Sequence, residues 1–279
     1  YFLAISDDKD LTIKPRLFND NKFLLQNEYR QITKNSLSIF DFSFLNGHDS
    51  SSLDKGDTRS HLFSNTLLDL SLENFEKSIL RVNYQKVSND NYLQLFNLQS
   101  PLLMDDNTVL ESKIEFDLEH KNYDLTASFE MYETLKGTNS DRYQYVLPNY
   151  NFSKNFNWDK VKGSFNFNSQ GNNTLNETNV VSSSVSNDLT YTSLNYFFDS
   201  GIKTNFGIFI KNINTVGKNN ATYKNSPQSE LMSAYTYNTS FPLIKKNSKT
   251  INTLMPKLSF KFSPHKMKNN SNESRRIDI

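Results

Sequence analysis

Four histidines, at positions 48, 61, 120 and 265, are the side chains best suited to moving protons or holding a metal, and their spacing supports neither use. A zinc site is commonly announced by His-x-x-x-His or Glu-x-x-His, and no such pair occurs. They read as isolated surface histidines. A Ser-His-Asp or Ser-His-Asn hydrolase site could be assembled from distant residues of a barrel wall, since Ser and Asp abound, but no Gly-x-Ser-x-Gly turn sharpens a nucleophile. Asp105, Asp106 and Asn107 offer oxygen ligands without the spaced loop of a dedicated calcium site, and read as a solvated loop. Triplets such as Asn151-Phe152-Ser153 and Asn176-Glu177-Thr178 are what an Asn-rich chain produces, and no Gly-rich phosphate loop is present. The lack of cysteine removes disulfides and thiolate metal sites from this segment. We therefore expect no enzyme, no cofactor and no metal.

Apolar residues make up 36% of the chain, yet aromatics reach 13%, with 22 Phe and 14 Tyr. Disordered chains are poor in these rings, so the low hydropathy does not signal disorder. A net charge of +1 gives no concentrated basic face for nucleic acid. Lys245, Lys246 and Lys249 form the densest basic run, which reads as a solvated turn. No apolar run approaches the ~18 residues of a membrane helix. The chain opens at Tyr1 in what already reads as a strand, without start Met or leader, and both ends are read as cuts through a longer protein.

The elements that must position any site are strands. In Leu11-Thr-Ile13-Lys-Pro15-Arg-Leu17 the apolar residues hold one parity and Thr12, Lys14 and Arg16 the other, which is the period of a two-faced strand. Leu80, Val82 and Tyr84 likewise oppose Arg81, Asn83 and Gln85, and Ile114, Phe116 and Leu118 oppose Lys113, Glu115 and Asp117. The pattern returns around residues 125–131, 161–168, 202–211 and 254–262, with weaker strands near 23–32, 36–45, 60–70, 143–153, 189–198 and 230–241. That makes about fourteen segments, most close to the ~10 residues of a tilted membrane strand and longer than the ~5–6 of a soluble sandwich. Short links are expected near 33–35, 71–76, 119–122, 154–160, 199–201 and 244–250. Long polar ones are expected near 46–59, 88–108, 134–142, 169–188, 212–229 and from 263 onward. Alternation of long and short links is what strands crossing a bilayer produce, with long loops outside and tight turns in the periplasm. The fold class expected is all-β, an antiparallel transmembrane β-barrel, with residues 1–279 forming part of one barrel domain.

Several stretches resemble the LptD (OstA/Imp) family of lipopolysaccharide-assembly proteins. Tyr1-Phe-Leu-Ala-Ile5, then Asp10-Leu-Thr-Ile-Lys-Pro15-Arg16, then Phe23-Leu-Leu-Gln-Asn-Glu28-Tyr29-Arg30 are similar to the opening barrel strands of that family. Arg59-Ser-His-Leu-Phe63 leading through Arg81-Val-Asn-Tyr84 to Tyr92 and Phe96, then Tyr143 to Pro148, then Leu254-Met-Pro256-Lys-Leu258 continue in family order. The resemblance implies a barrel of about 26 strands, of which this chain would hold about fourteen. It also implies a place in the cell outer membrane and delivery of lipopolysaccharide to the outer leaflet. The implied partners are a plug lipoprotein like LptE, outer-membrane lipid, and a periplasmic bridge that docks on a jelly-roll domain. That jelly-roll, the closing strands of the lateral gate and the C-terminal half of the barrel are expected to lie outside this chain.

An amphiphile crosses such a wall if the lumen accepts its sugars and phosphates, because burying charged headgroups in apolar surroundings costs several kcal/mol each. The polar parities, including Lys14, Arg16, Gln26, Glu28, Arg30, Arg81 and Lys113, are therefore expected to face the lumen, where Lys and Arg can touch phosphates or simply fill the barrel. Pro15 cannot donate a ladder bond, so it marks either a softened wall near the exit or a tolerated non-bonded position. Lys14 and Glu28 are expected to be near cross-strand neighbours on the lumen face. A porin or nutrient-uptake barrel, an outer-membrane phospholipase and a soluble sandwich are the alternatives.

Overall fold

The computed structural model describes residues 1–18, 22–49, 55–103, 108–136, 141–156 and 162–264. Its strands are β1 (Phe2–Ser6), β2 (Lys9–Leu17), β3 (Phe23–Ile32), β4 (Ser36–Asp49), β5 (Lys55–Asp69), β6 (Phe75–Val87), β7 (Val109–His120), β8 (Tyr123–Thr134) and β9 (Tyr143–Phe156). They continue as β10 (Gly163–Asn176), β11 (Val180–Ser193), β12 (Tyr196–Phe197), β13 (Lys203–Lys218), β14 (Gln228–Ser240), β15 (Leu243–Lys246), β16 (Ile251–Leu254) and β17 (Lys257–Phe262). One four-residue helix, α1 (Tyr92–Leu95), lies between β6 and β7. A 15-stranded sheet runs β1 to β11, then β13, β14 and β17, in chain order, with β12 paired beside β13 and β15–β16 forming a separate hairpin. Every pairing is antiparallel. Among the described residues β1 and β17 are not paired with each other, so the sheet is open.

The residue-by-residue register turns alternation in the sequence into two unlike faces. Between β7 and β8, Lys113 opposes Glu130, Glu115 opposes Ser128 and Asp117 opposes Thr126, while Ile114 opposes Phe129 and Phe116 opposes Ala127. Between β10 and β11, Asn166–Thr190 and Asn168–Asp188 alternate with Phe165–Tyr191 and Phe167–Leu189. The burial runs opposite to that of a soluble sheet: Glu130 is 8% exposed while its neighbour Phe129 is 45% exposed. Phe40, Phe42, Phe44, Leu62, Ile114, Phe206, Tyr235 and Tyr237 are likewise open on the apolar face. Asp41, Gln26, Ser43 and Gln85 are covered on the polar one.

Several long links expected from composition are instead strands. The Asn-, Ser- and Thr-rich stretch 169–188 completes β10 and β11, leaving only 177–179 as a turn. Glu177 and Thr178 there take φ of 48° and 58°, two left-handed residues in succession, the conformation that fits the right-handed twist of a hairpin. Likewise β4 and β5 shorten 46–59, and β13 shortens 212–229 to residues 219–227. The physical reason lies in the parity that carries the apolar residues. Phe165 and Phe167 on β10 give way to Ser169, Gly171 and Asn173, and Ile208 and Ile210 on β13 give way to Asn212 and Asn214. The ladder continues after the apolar band ends, because backbone bonds need no apolar side chain. The opposite correction applies at 244–250, expected as a tight turn. There β15 and β16 form a hairpin within a longer excursion between β14 and β17, and Pro256 sits at its corner, where its carbonyl accepts a bond from the Phe241 N–H (3.0 Å). The turn at 19–21, parts of the links at 50–54, 137–140 and 157–161, the Asp105-Asp106-Asn107 triplet, His265 and the remainder of the tail lie outside the described residues.

In the β2–β3 ladder Lys14 opposes Gln26 and Thr12 opposes Glu28, so Lys14 and Glu28 share a face but sit on a diagonal. Their Nζ and Oε2 atoms are 3.7 Å apart. Pro15 opposes Leu25 on the apolar face. Ile13 donates its N–H to the Tyr1 carbonyl (2.7 Å), so the nitrogen of Pro15, two residues on, points away from β3 and its missing N–H removes no bond to that strand. Paired cysteines test this register. Oxidation of K14C with Q26C should be fastest and K14C with E28C slower, and K14C with Asn27→Cys should not close, because those side chains leave opposite faces. A ready bond from 14 to 27 would mean the register is shifted by one.

Candidate functional site

Residues 88–103 leave β6 and fold back across the polar face of β2–β6 as a strap, which the side chains of the wall hold by its backbone. Arg16 donates to the Phe96 carbonyl (2.9 Å), Gln26 to the Gln99 carbonyl (2.9 Å) and Gln85 to the Leu102 carbonyl (2.7 Å). Arg59 donates to the Asn91 side-chain oxygen (3.2 Å). Beneath, Tyr92, Leu93 and Leu98 of the strap pack with Leu24, Leu45, Phe63 and Val87 of the wall, with Leu110 and Leu135 from the ends of β7 and β8, in the buried apolar cluster of the chain. Four strand positions of polar parity are therefore apolar because the strap, and not water, covers them.

At the centre of this contact lies a buried polar chain that sequence reasoning missed. The Ser43 hydroxyl is 2.6 Å from His61 Nδ1 and 2.7 Å from the Tyr92 hydroxyl, and His61 Nε2 is 3.1 Å from Asp41 Oδ1. Gln26 donates to the same carboxylate (3.2 and 3.3 Å). His61 was expected on the surface; it is 3% exposed, because its parity turns it under the strap. Ser43, His61 and Asp41 have the connectivity of a hydrolase triad, but Ser43 is 2% exposed with Tyr92 on its hydroxyl, so no ester carbonyl can approach its Oγ while the strap is in place. What the arrangement does do is satisfy four buried polar groups and tie strap to wall. Burial raises the Tyr92 phenol pKa above its usual value, which keeps it protonated and able to donate to Ser43. His120, at the far end of β7, stacks on Tyr123 (4.5 Å between centroids), and the His48 side chain lies outside the described residues. Among the described residues no group of three metal-capable side chains converges.

All seven polar residues singled out from the sequence stand on the same face. Lys14, Arg16, Gln26, Glu28 and Arg30 share it across β2–β3, and the register carries it through β4 and β5 to Arg81 on β6 and Lys113 on β7. Arg16 bonds backbone carbonyls of the strap, while the other cations among them, Lys14, Arg30, Arg81 and Lys113, pair with carboxylates. Arg30 meets Asp10 (3.0 Å), Arg81 meets Glu115 (2.5 Å), and Lys113 meets Glu115 (2.6 Å) and Glu130 (3.5 Å). Further along, β9–β11 present Asn149, Asn151, Asn166, Asn168, Gln170, Asn172, Ser184 and Ser186, with Asp188 held by Lys211 (3.1 Å). The face thus passes from a charged sector to one of amides and hydroxyls. Outside the strap's edge, Arg142 bonds Asp90 (2.8 and 3.1 Å) and Glu133. Burial alone would lower the Arg142 pKa, but the bonds to Asp90 and Glu133 outweigh it and raise it, fixing the charge that clamps the strap's first turn.

No family model and no curated protein matches this sequence.

Proposed function

We propose that this chain is part of a transmembrane β-barrel of the bacterial outer membrane that carries lipopolysaccharide to the outer leaflet in the manner of the LptD proteins. The observation that carries the barrel reading is the inverted sheet, with open aromatic and aliphatic side chains on one face and covered charges and amides on the other. In water the open face would be an aggregation surface, whereas in a bilayer it meets lipid. The ordered resemblance along the chain supports lipopolysaccharide as the cargo. In this reading Lys14, Arg16, Gln26, Glu28, Arg30, Arg81 and Lys113 line the lumen and offer exchangeable ion pairs to phosphates and hydrogen bonds to sugars. Partners are a plug lipoprotein, outer-membrane lipid and a periplasmic bridge. The end bearing the strap and the overhanging hairpins β10–β11 and β13–β14 faces outward, since long extensions of barrels are external.

A pore for nutrient uptake is the second reading, and the inward-lying strap supports it, because loops folded into a lumen narrow it for solutes. Depleting the parent protein separates the two. We expect lipopolysaccharide accessible on intact cells to fall to a small fraction while small-solute uptake persists. Normal surface lipopolysaccharide with lost uptake would overturn the transport reading.

A further inference from the structure

Residues 231–264 hold five lysines and no Asp or Glu, in a chain whose net charge is only +1. Three of the five, Lys245, Lys246 and Lys249, sit on the β15–β16 hairpin, which among the described residues pairs only with itself and whose eight strand residues are all exposed. Ile244, Ile251 and Leu254 are 61%, 67% and 64% exposed there, far more than a water-filled surroundings favours for three branched side chains in one small element. The hairpin grows from the short-turn end of β14 and β17, whose outward Tyr237, Leu258 and Phe260 continue the open apolar face down to it.

We propose that this hairpin is an interfacial anchor that docks on anionic phospholipid headgroups of the leaflet bordering the short-turn end of the sheet. The inference rests on the barrel reading given above. Apolar side chains interleaved with lysines are the composition of an element lying in a membrane interface, where the carbon side chains enter the acyl boundary and the ammonium groups reach headgroup phosphates. Each lysine close to an anionic surface adds attraction that fades within a Debye length, so the contact should weaken with salt.

The test uses the full-length protein in vesicles, with Trp158→Phe and Ile244→Trp making the hairpin's ring the reporter within this segment. Vesicles mix phosphatidylcholine and phosphatidylglycerol, with bromine on the acyl chains of one lipid or the other. Quenching by brominated phosphatidylglycerol should exceed that by brominated phosphatidylcholine about threefold, and the preference should vanish in K245Q/K246Q/K249Q and shrink at high salt. These substitutions fall on exposed positions of a hairpin outside the main sheet, so the wall should fold in all of them. Equal quenching by both lipids, or access to aqueous acrylamide without lipid quenching, would overturn the anchor. Shielding from lipid and acrylamide alike would do the same and would mean that protein covers the hairpin. A carbonate wash separates the two readings: protein that stays in the membrane while the hairpin shows no lipid preference loses the anchor alone, and protein that washes off loses the barrel as well.

Discussion

Phe129→Arg should cost about 2–4 kcal/mol of folding stability in lipid vesicles, whereas Thr126→Arg, three residues away on the same strand, should cost under about 1 kcal/mol. Both positions lie within β8, with Phe129 paired to Ile114 on the apolar face and Thr126 paired to Asp117 on the polar one. A guanidinium placed among acyl chains must be dehydrated or drag water inward, while one placed beside Asp117 gains a partner. At about 1.4 kcal/mol per tenfold, the first change shifts the folding equilibrium by roughly thirtyfold to several hundredfold. Denaturant titration of vesicle-inserted protein reads both. In a soluble sandwich the exposed Phe129 would be the tolerant site, so the ranking would reverse.

The second large effect belongs to the strap. Tyr92→Ala empties a fully buried site and removes the hydroxyl that meets Ser43, and truncation of a large buried ring costs about 3–5 kcal/mol. Because the strands of the sheet pair independently of the strap, that loss should fall on strap docking rather than on the sheet. Hydrogen exchange at residues 92–98 should speed up by about a hundredfold or more, with β7 and β8 unchanged, and the barrel proposed above should leak solutes in parallel. Tyr92→Phe keeps the ring and loses only the hydroxyl, a change of about 1 kcal/mol, and should give a correspondingly small opening. Equal exchange in the strap of Tyr92→Ala and the native protein would mean that the buried cluster does not hold it.

The two-faced strands were legible because period-two alternation survives in a single sequence wherever one face meets an apolar phase and the other does not. Residues such as Ile114, Phe116 and Leu118 against Lys113, Glu115 and Asp117 require no tertiary information. Where both faces become polar, as along 169–176 and 182–188, alternation disappears although the ladder continues, and composition was misread as loop. The buried cluster was illegible for a different reason. Asp41, Ser43, His61 and Tyr92 come from two strands and the strap, and only the register that sets Ser43 opposite His61 brings them together. A usable hint was present in Leu24, Leu45 and Phe63, apolar residues on a polar parity, which signal that something other than water covers that end of the wall. Parity alone shows that Lys14, Arg16, Arg30, Arg81 and Lys113 share one face, but carboxylate partners such as Glu115 for Arg81 depend on strand order across β6 and β7.

The central claim is that the apolar face meets lipid and the polar face meets water, and β8 tests it most directly. Single cysteines at each position from 124 to 131, placed in the full-length protein in its native membrane, are labelled with a membrane-impermeant maleimide after the lumen is made accessible from one side. The account predicts labelling at 124, 126, 128 and 130 and protection at 125, 127, 129 and 131, with the protected set quenched when a bromine-bearing lipid surrounds a fluorophore attached there. Uniform labelling of both parities, from protein recovered in the soluble fraction, would contradict it.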